Sequence, residues 1–239
     1  MGGGGINAIV SEINAHGTEE DKKNVRTLLD GTYTNPPDSK GALPTPEELV
    51  GQSKTIDELM QTEQAKIAKL QRANVFALRL YTTSTYASMN DPLRTDPATK
   101  PHPLAVTTYY ASEGIKKLLS VAGNLPNAHQ SQDLWRGMKD MTVSAAFMES
   151  GGTEFAFMST SLSRETAIDF AFSRAPMIVK LETPDFLSRG ANISWLSVYP
   201  GEGEVLFPPL TYLRPKGSEM VVIDGKEYLI VRCEPVIGR

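Results

Sequence analysis

Three short segments carry residue types that folding alone does not demand. In Trp135-Arg136-Gly137 an arginine sits inside a short apolar run. Its guanidinium is costly there unless it meets an anion, and its fork of donors suits a phosphate. The alternative is an edge-strand arginine whose head reaches water. Gly137, lacking a Cβ, lets backbone approach a planar ligand. In Phe157-Met158-Ser159-Thr160-Ser161, strand alternation turns Ser159 and Ser161 to one side and Thr160 to the other. Those hydroxyls either fix ligand atoms and orient a carboxylate, or simply cap the helix that follows. In Tyr199-Pro200-Gly201-Glu202-Gly203-Glu204 two carboxylates stand two residues apart, on one face if the segment is extended. Neighbouring carboxylates repel, so one keeps its proton longer and the pair divides acid and base roles. A solvated acidic turn is the other reading of that segment.

The elements that must position these residues follow from caps and periodicity. Thr18 precedes Glu19, Glu20 and Asp21 as an N-cap with an acidic first turn, and Gly31 is a stop for that helix. The proline-rich stretch from Thr32 to Pro46 reads as a loop. Thr55 with Glu58 has capping-box spacing, and Ile56, Leu59, Met60, Ile67 and Leu70 predict one helix from about residue 55 into the low seventies. Further helices are expected at Thr83–Asn90, ended by Asp91-Pro92, and at Leu104–Ala122. The glycines Gly2 to Gly5 read as a flexible run.

After about residue 130 the pattern becomes strand-like. Leu134–Arg136, Glu154–Ser159, Met177–Leu181, Ile193–Tyr199 and Glu204–Phe207 are expected strands, with Ser163 capping a helix whose Ala167, Ile168, Phe170 and Ala171 share a face. Met220–Ile223 and Tyr228–Val231 flank Asp224-Gly225 as a hairpin. Helices first and strands second specify an α+β fold.

The order and spacing of the three segments resemble the arginine-specific mono-ADP-ribosyltransferases of the R-S-E class, which include bacterial toxins, injected effectors and eukaryotic ecto-enzymes. Leu78-Arg79-Leu80-Tyr81-Thr82-Thr83 with Tyr86 and Asn90 is similar to that family's opening helical segment. Phe155 through Phe172 resembles its F-x-F-x-S-T-S … A-x-x-F-A stretch, and Ile193 through Pro209 its I-S … Y-P-x-E-x-E-V-L-x-P-P stretch. The resemblance covers residues 70–235. It implies a catalytic domain over 71–239, preceded by a helical extension over 1–70 of unassigned role. It also implies a mostly helical N-terminal part followed by two packed mixed or antiparallel sheets around an NAD cleft.

The implied reaction transfers ADP-ribose from NAD, as co-substrate, to an arginine side chain of a target protein, releasing nicotinamide. On that resemblance Glu204 faces the cation that grows on the ribose, Ser159 holds Glu204, and Glu202 orients the acceptor arginine and takes its proton. Arg136 grips the pyrophosphate or adjoining ribose, Gly137 backbone groups hold the nicotinamide amide, and Thr160 and Ser161 complete the cofactor contacts. Phe170 or Phe172 stacks on the nicotinamide, with Phe172 taken as the cofactor contact; both also fit a core. Trp195 and Tyr199 fit either a partner contact or a strand interior. Three rival readings remain: an NAD glycohydrolase with water as acceptor, a catalytically silent NAD-binding module, and a structural interaction domain.

Composition narrows the class further. The chain has 239 residues, 40% hydrophobic and 22% charged, as a soluble globular protein does. A net charge of −4 argues against nucleic acid as partner. With Cys233 alone there is neither an intrachain disulfide nor a cysteine-based zinc site, and His16, His102 and His129 are too dispersed for a local metal pair, so no metal is expected. No stretch approaches the roughly 20 apolar residues of a membrane span, and the start lacks the basic and apolar regions of a secretory signal. The expected workplace is a cytosol, either its own or that of a host reached without a cleaved signal.

Overall fold

The structure, a computed structural model, describes residues 4–35, 49, 51–95 and 100–238. The chain forms two compact units: Met1–Val121 with Ile193–Gly201, and Ala122–Asn192 with Glu202–Arg239. Most of the expected proline-rich loop, residues 36–46, lies outside the described residues.

The first unit is helical. Helix α1 (Gly4–His16) begins inside the glycine run that reads as flexible, because Ile6, Ile9 and Ile13 form a buried stripe one turn apart. Thr18 caps α2 (Glu19–Leu29) through a capping box with Asp21, and Thr55 caps α3 (Ile56–Met60) through one with Glu58. The single helix expected from residue 55 into the seventies is three pieces. Thr62 accepts the Ala65 N–H and starts α4 (Glu63–Ile67), Lys69 turns left-handed at φ 49°, and α5 (Arg72–Tyr81) starts afresh after Gln71. Every residue of α5 from Ala73 to Tyr81 is buried, as befits a helix packed against α1, α3 and α7 (Ala105–Val121). Helix α6 (Tyr86–Arg94) runs through the expected break and keeps Pro92 in its last turn, where the missing N–H frees only one carbonyl.

The expected strand Ile193–Tyr199 is a turn that belongs to this helical unit. Leu196 and Ser197 donate back to the Ile193 carbonyl, at 3.0 and 3.1 Å. Several of its other backbone groups meet side chains instead of a ladder. Arg79 Nη1 donates to Leu196 O at 2.6 Å, Asn35 Nδ2 to Val198 O at 2.9 Å, and Val198 N donates to Thr82 Oγ1 at 3.1 Å. Arg79, fully buried in α5, also donates to the carbonyls of Gly51 and Gln52 at 3.0 and 2.7 Å.

The second unit is built on strands β1 (Gln132–Met138), β2 (Gly152–Glu154), β3 (Met158–Ser161), β4 (Met177–Thr183), β5 (Ala191–Asn192), β6 (Glu204–Phe207), β7 (Thr211–Ile223) and β8 (Lys226–Val236). They form one ladder, in the order β2-β7-β8-β4-β1-β3-β6-β5, with only β4 and β8 parallel. The expectation of two separate sheets is corrected by a single link, the Trp135–Ser161 pair, which joins β1 to β3. The expected strand Glu154–Ser159 is likewise split, since β2 pairs with β7 and β3 with β6.

That split has a geometric consequence. From Glu154 to Met158 the chain reaches at most about 14 Å, whereas five strand spacings in a flat sheet make about 24 Å. The sheet therefore curls back on itself. Met158, Val205 and Phe207 from one part meet Leu134, Met177, Val179, Val231 and Cys233 from the other in one apolar cluster. The two expected layers are thus two parts of one folded ladder.

Helix α8 (Ala145–Ser150) borders this cluster through Phe147 and Met148. On the sheet's other face α9 (Arg164–Ala171), capped by Ser163, packs Ala167 and Ala171 on Ile178, Tyr228 and Ile230. Phe170, expected on that face, is exposed. The β7–β8 hairpin turns at Asp224 and Gly225, both at positive φ, the conformation that favours an Asp-Gly pair. Among the described residues no helix is long and apolar enough to cross a membrane.

Candidate active site

The candidate site grows from the part of the second unit where β3 pairs with β1 on one side and β6 on the other. Four residues of β3 pair with four of β6, setting Ser161 opposite Glu204 and Ser159 opposite Leu206. Alternation then puts Ser159, Ser161 and Glu204 on one face and Met158, Thr160, Val205 and Phe207 on the other. Glu204 is the first residue of β6 and is buried to 6% exposure, although its neighbours Gly203 and Glu202 lie on a turn. The Ser159 hydroxyl hydrogen-bonds its carboxylate.

Burial pushes the Glu204 carboxyl up to about 7; the Ser159 hydrogen bond and the Arg136 charge pull it down, and the Glu202 charge pushes it further up. The repulsion between the two carboxylates holds, but its geometry differs from the extended expectation. Glu202 closes a short 3-10 turn (Pro200–Glu202), and Gly203 takes φ 58° before β6 begins. A left-handed residue between the two glutamates is the position that only glycine fills without strain.

Two bonds stitch this turn to the end of β3: Ser161 Oγ donates to Glu202 O at 2.5 Å, and Leu162 N donates to Gly203 O at 3.1 Å. Ser161 thus lies on the site face, and its hydroxyl holds the turn while accepting the Ser163 N–H at 2.9 Å. Thr160 is not brought into the group. It is buried on the opposite face and donates to Val205 O at 2.6 Å.

Arg136, half-buried on β1, donates from Nη1 to the Ser159 carbonyl at 2.7 Å, so β1 and β3 are tied beside Glu204. On the Cβ side of Gly137 the space is taken by α9: a methyl there would lie 2.1 Å from the Ala167 carbonyl oxygen and 2.6 Å from Ala171 N. Gly137 is therefore required for the helix to approach the strand. Phe172 ends α9 and is 66% exposed, so it is not a core residue. Trp195 and Tyr199 lie in the helical unit's turn, half-buried, with Tyr199 hydrogen-bonded to Tyr33.

Two further residues without a motif in the sequence, Asp140 and Lys226, hold the segment after α9. Asp140, at φ 50°, accepts the Ala175 N–H at 2.9 Å, and Lys226 donates to the Ser173 carbonyl. No local signal could have found them, because their partners are 35 and 53 residues away in the chain. Among the described residues no group of three or more His, Cys, Asp or Glu side chains gathers as a metal site.

A buried carboxylate braced by a serine, with an arginine and a second carboxylate beside it, can stabilise a cation formed next to a phosphate-bearing sugar. The sequence model of the ADP-ribosyltransferase exoenzyme family matches residues 59–236. The chain belongs to that family. Its members transfer ADP-ribose from NAD, and NAD-dependent ADP-ribosyl transfer is the activity of this ADP-ribosyltransferase domain.

Among solved structures, the chain is similar to Plx2a, an ADP-ribosyltransferase toxin from Paenibacillus larvae. The match has 18% identity and a TM-score of 0.56, covering 76% of this chain and 94% of that one. It is similar to the ADP-ribosyltransferase HopU1 of Pseudomonas syringae pv. tomato, at 17% identity and TM-score 0.55, covering 75% and 87%. It is also similar to C3stau2 from S. aureus, solved with NAD, at 20% identity and TM-score 0.55, covering 73% and 92%. At these identities the likeness concerns the fold. No curated protein sequence matches the chain.

Proposed function

We propose that this ADP-ribosyltransferase is arginine-specific, of the R-S-E class, and modifies an arginine on a target protein. The observation that carries the reading is the pair of glutamates across Gly203: one buried and braced by Ser159, the other at the preceding turn. In the reaction the bond between ribose C1′ and the nicotinamide nitrogen breaks, and its electron pair leaves with nicotinamide. The ribose becomes oxocarbenium-like, and the ionised Glu204 meets the growing positive charge. The acceptor arginine nitrogen then bonds C1′, and its proton passes to Glu202.

Arg136 grips the pyrophosphate or adjoining ribose, Ser159 holds Glu204, and Ser161 keeps Glu202 in its turn. Gly137 backbone groups meet the nicotinamide amide and Phe172 stacks on its ring, with Thr160 supporting the strand from behind. Residues 1–70 are proposed as a helical extension of the catalytic domain over 71–239, and the toxin relatives support an effector that works in a host cytosol.

Tagged NAD incubated with cell lysate, followed by mapping of the labelled residue, tests the acceptor. Label on arginine is expected; label only on another residue type overturns the specificity. Glu202→Gln is expected to lose arginine modification by about a hundredfold while nicotinamide release persists. Equal loss of both would merge the two glutamate roles. Nicotinamide release with no labelled protein would instead make the chain a glycohydrolase.

A further inference from the structure

We propose that Lys226 is a positioning residue for Phe172, fixing the ring that receives the nicotinamide end of NAD; this rests on the reading of Phe172 given above. Phe172 is 66% exposed, so no core packing selects its orientation. What meets the ring is the Lys226 ammonium, 4.0 Å from the ring centroid, in cation–π geometry. The same ammonium donates to the carbonyl of Ser173, the next residue. Lys226 is the first residue of β8, directly after the tight Asp224-Gly225 turn, so its own backbone is held by the longest hairpin of the unit.

The segment after α9 is gripped from its other side too. Asp140 N donates to Ser173 Oγ at 3.2 Å, Asp140 Oδ1 accepts the Ala175 N–H at 2.9 Å, and Ser173 Oγ donates to Ala171 O at 3.0 Å. The backbone of residues 173–175 is therefore anchored, and the Phe172 ring is the part left to be placed by Lys226. With an ammonium on one face of the ring, a planar ligand meets the ring from the opposite face. Lys226 does not belong to the arginine, serine and glutamate set that does the chemistry, so its loss should weaken capture of NAD and spare the bond-breaking step.

Steady-state kinetics with NAD test this in Lys226→Met, Lys226→Gln, Lys226→Arg, Phe172→Ala and the Phe172→Ala/Lys226→Met double variant, with thermal melts as a check on folding. Lys226→Met is expected to raise KM for NAD about fivefold, the scale of one exposed to half-buried cation–π contact, with kcat within about twofold. Inhibition by nicotinamide should weaken in parallel. Lys226→Gln keeps a donor for the Ser173 carbonyl but no charge and should resemble the methionine variant, whereas Lys226→Arg should restore KM. In the Phe172→Ala background the lysine change should add nothing.

An unchanged KM in Lys226→Met alongside a raised KM in Phe172→Ala overturns the role of Lys226 and leaves Phe172 standing. A rise in KM of equal size with and without Phe172 also overturns it, because the lysine would act by another route. An unchanged KM in Phe172→Ala removes the nicotinamide role of Phe172 and this proposal with it.

Discussion

Arg79 in the helical unit and Glu204 in the strand unit are buried charges of opposite sign, and their surroundings treat them in opposite ways. Arg79 donates to three backbone carbonyls, which spreads its charge over fixed dipoles and satisfies groups that would otherwise lie unpaired. Burial lowers its pKa only to about 10, so it stays charged at neutral pH. Glu204 has one hydroxyl and a nearby guanidinium against its burial and the repulsion of Glu202, and its pKa rises to about 7. A charge met by many dipoles holds structure together. A charge met by few is left close to its titration point, which suits chemistry.

The strongest test of that contrast is Glu204→Gln. It is expected to lower both ADP-ribosyl transfer and nicotinamide release by about a thousandfold, measured by label incorporation and product assay, while the protein still folds. Retention of more than a tenth of either rate would break the assignment. Next in size, Arg79→Met removes the donor from three buried carbonyls and is expected to cost about 3 kcal/mol or more in urea denaturation. If stability were unchanged, Arg79 would not be the structural member of the pair.

The third prediction concerns pH. Between the ordinary carboxyl value of 4.5 and about 7 the folded protein keeps a proton on Glu204 that the unfolded chain has released. The folded state therefore binds more protons in that window, and stability contributed at this site falls as pH rises through it, by about 3 kcal/mol in total. Above 7 the loss is complete. Denaturation curves of wild type against Glu204→Gln across pH 5 to 8 should show the mutant gaining relative stability with rising pH; a constant difference would show that burial does not perturb the group. Smallest in size is the effect on rate. If the ionised carboxylate is the active form, kcat/KM for NAD should fall about tenfold per unit as pH drops below 7, and a flat profile from 5 to 8 would contradict it.

Features that depend on near neighbours in the chain are legible in the amino-acid sequence. The caps at Thr18, Thr55 and Ser163 and the Asp224-Gly225 hairpin turn each rest on contacts within a few residues. Three of the elements that depart from expectation have distant partners in common. Ile193–Tyr199 has strand composition, yet Arg79, Asn35 and Thr82 supply its hydrogen bonds and make it a turn. Residues 154–159 look like one strand, yet their halves pair with different partners. The glycine run hides a helix because three isoleucines find a core that the sequence does not display.

Residue type and spacing alone singled out Arg136, Ser159, Glu202 and Glu204 as candidates, because an arginine in an apolar run, a serine on an alternating strand and two carboxylates two residues apart are not demanded by folding. Only the tertiary structure decided that Glu204 is buried enough to titrate near 7, that Gly137 makes room for α9, and that Lys226 lies over Phe172. Desolvation and packing are sums over neighbours brought together from distant positions, and no local pattern of residues contains them.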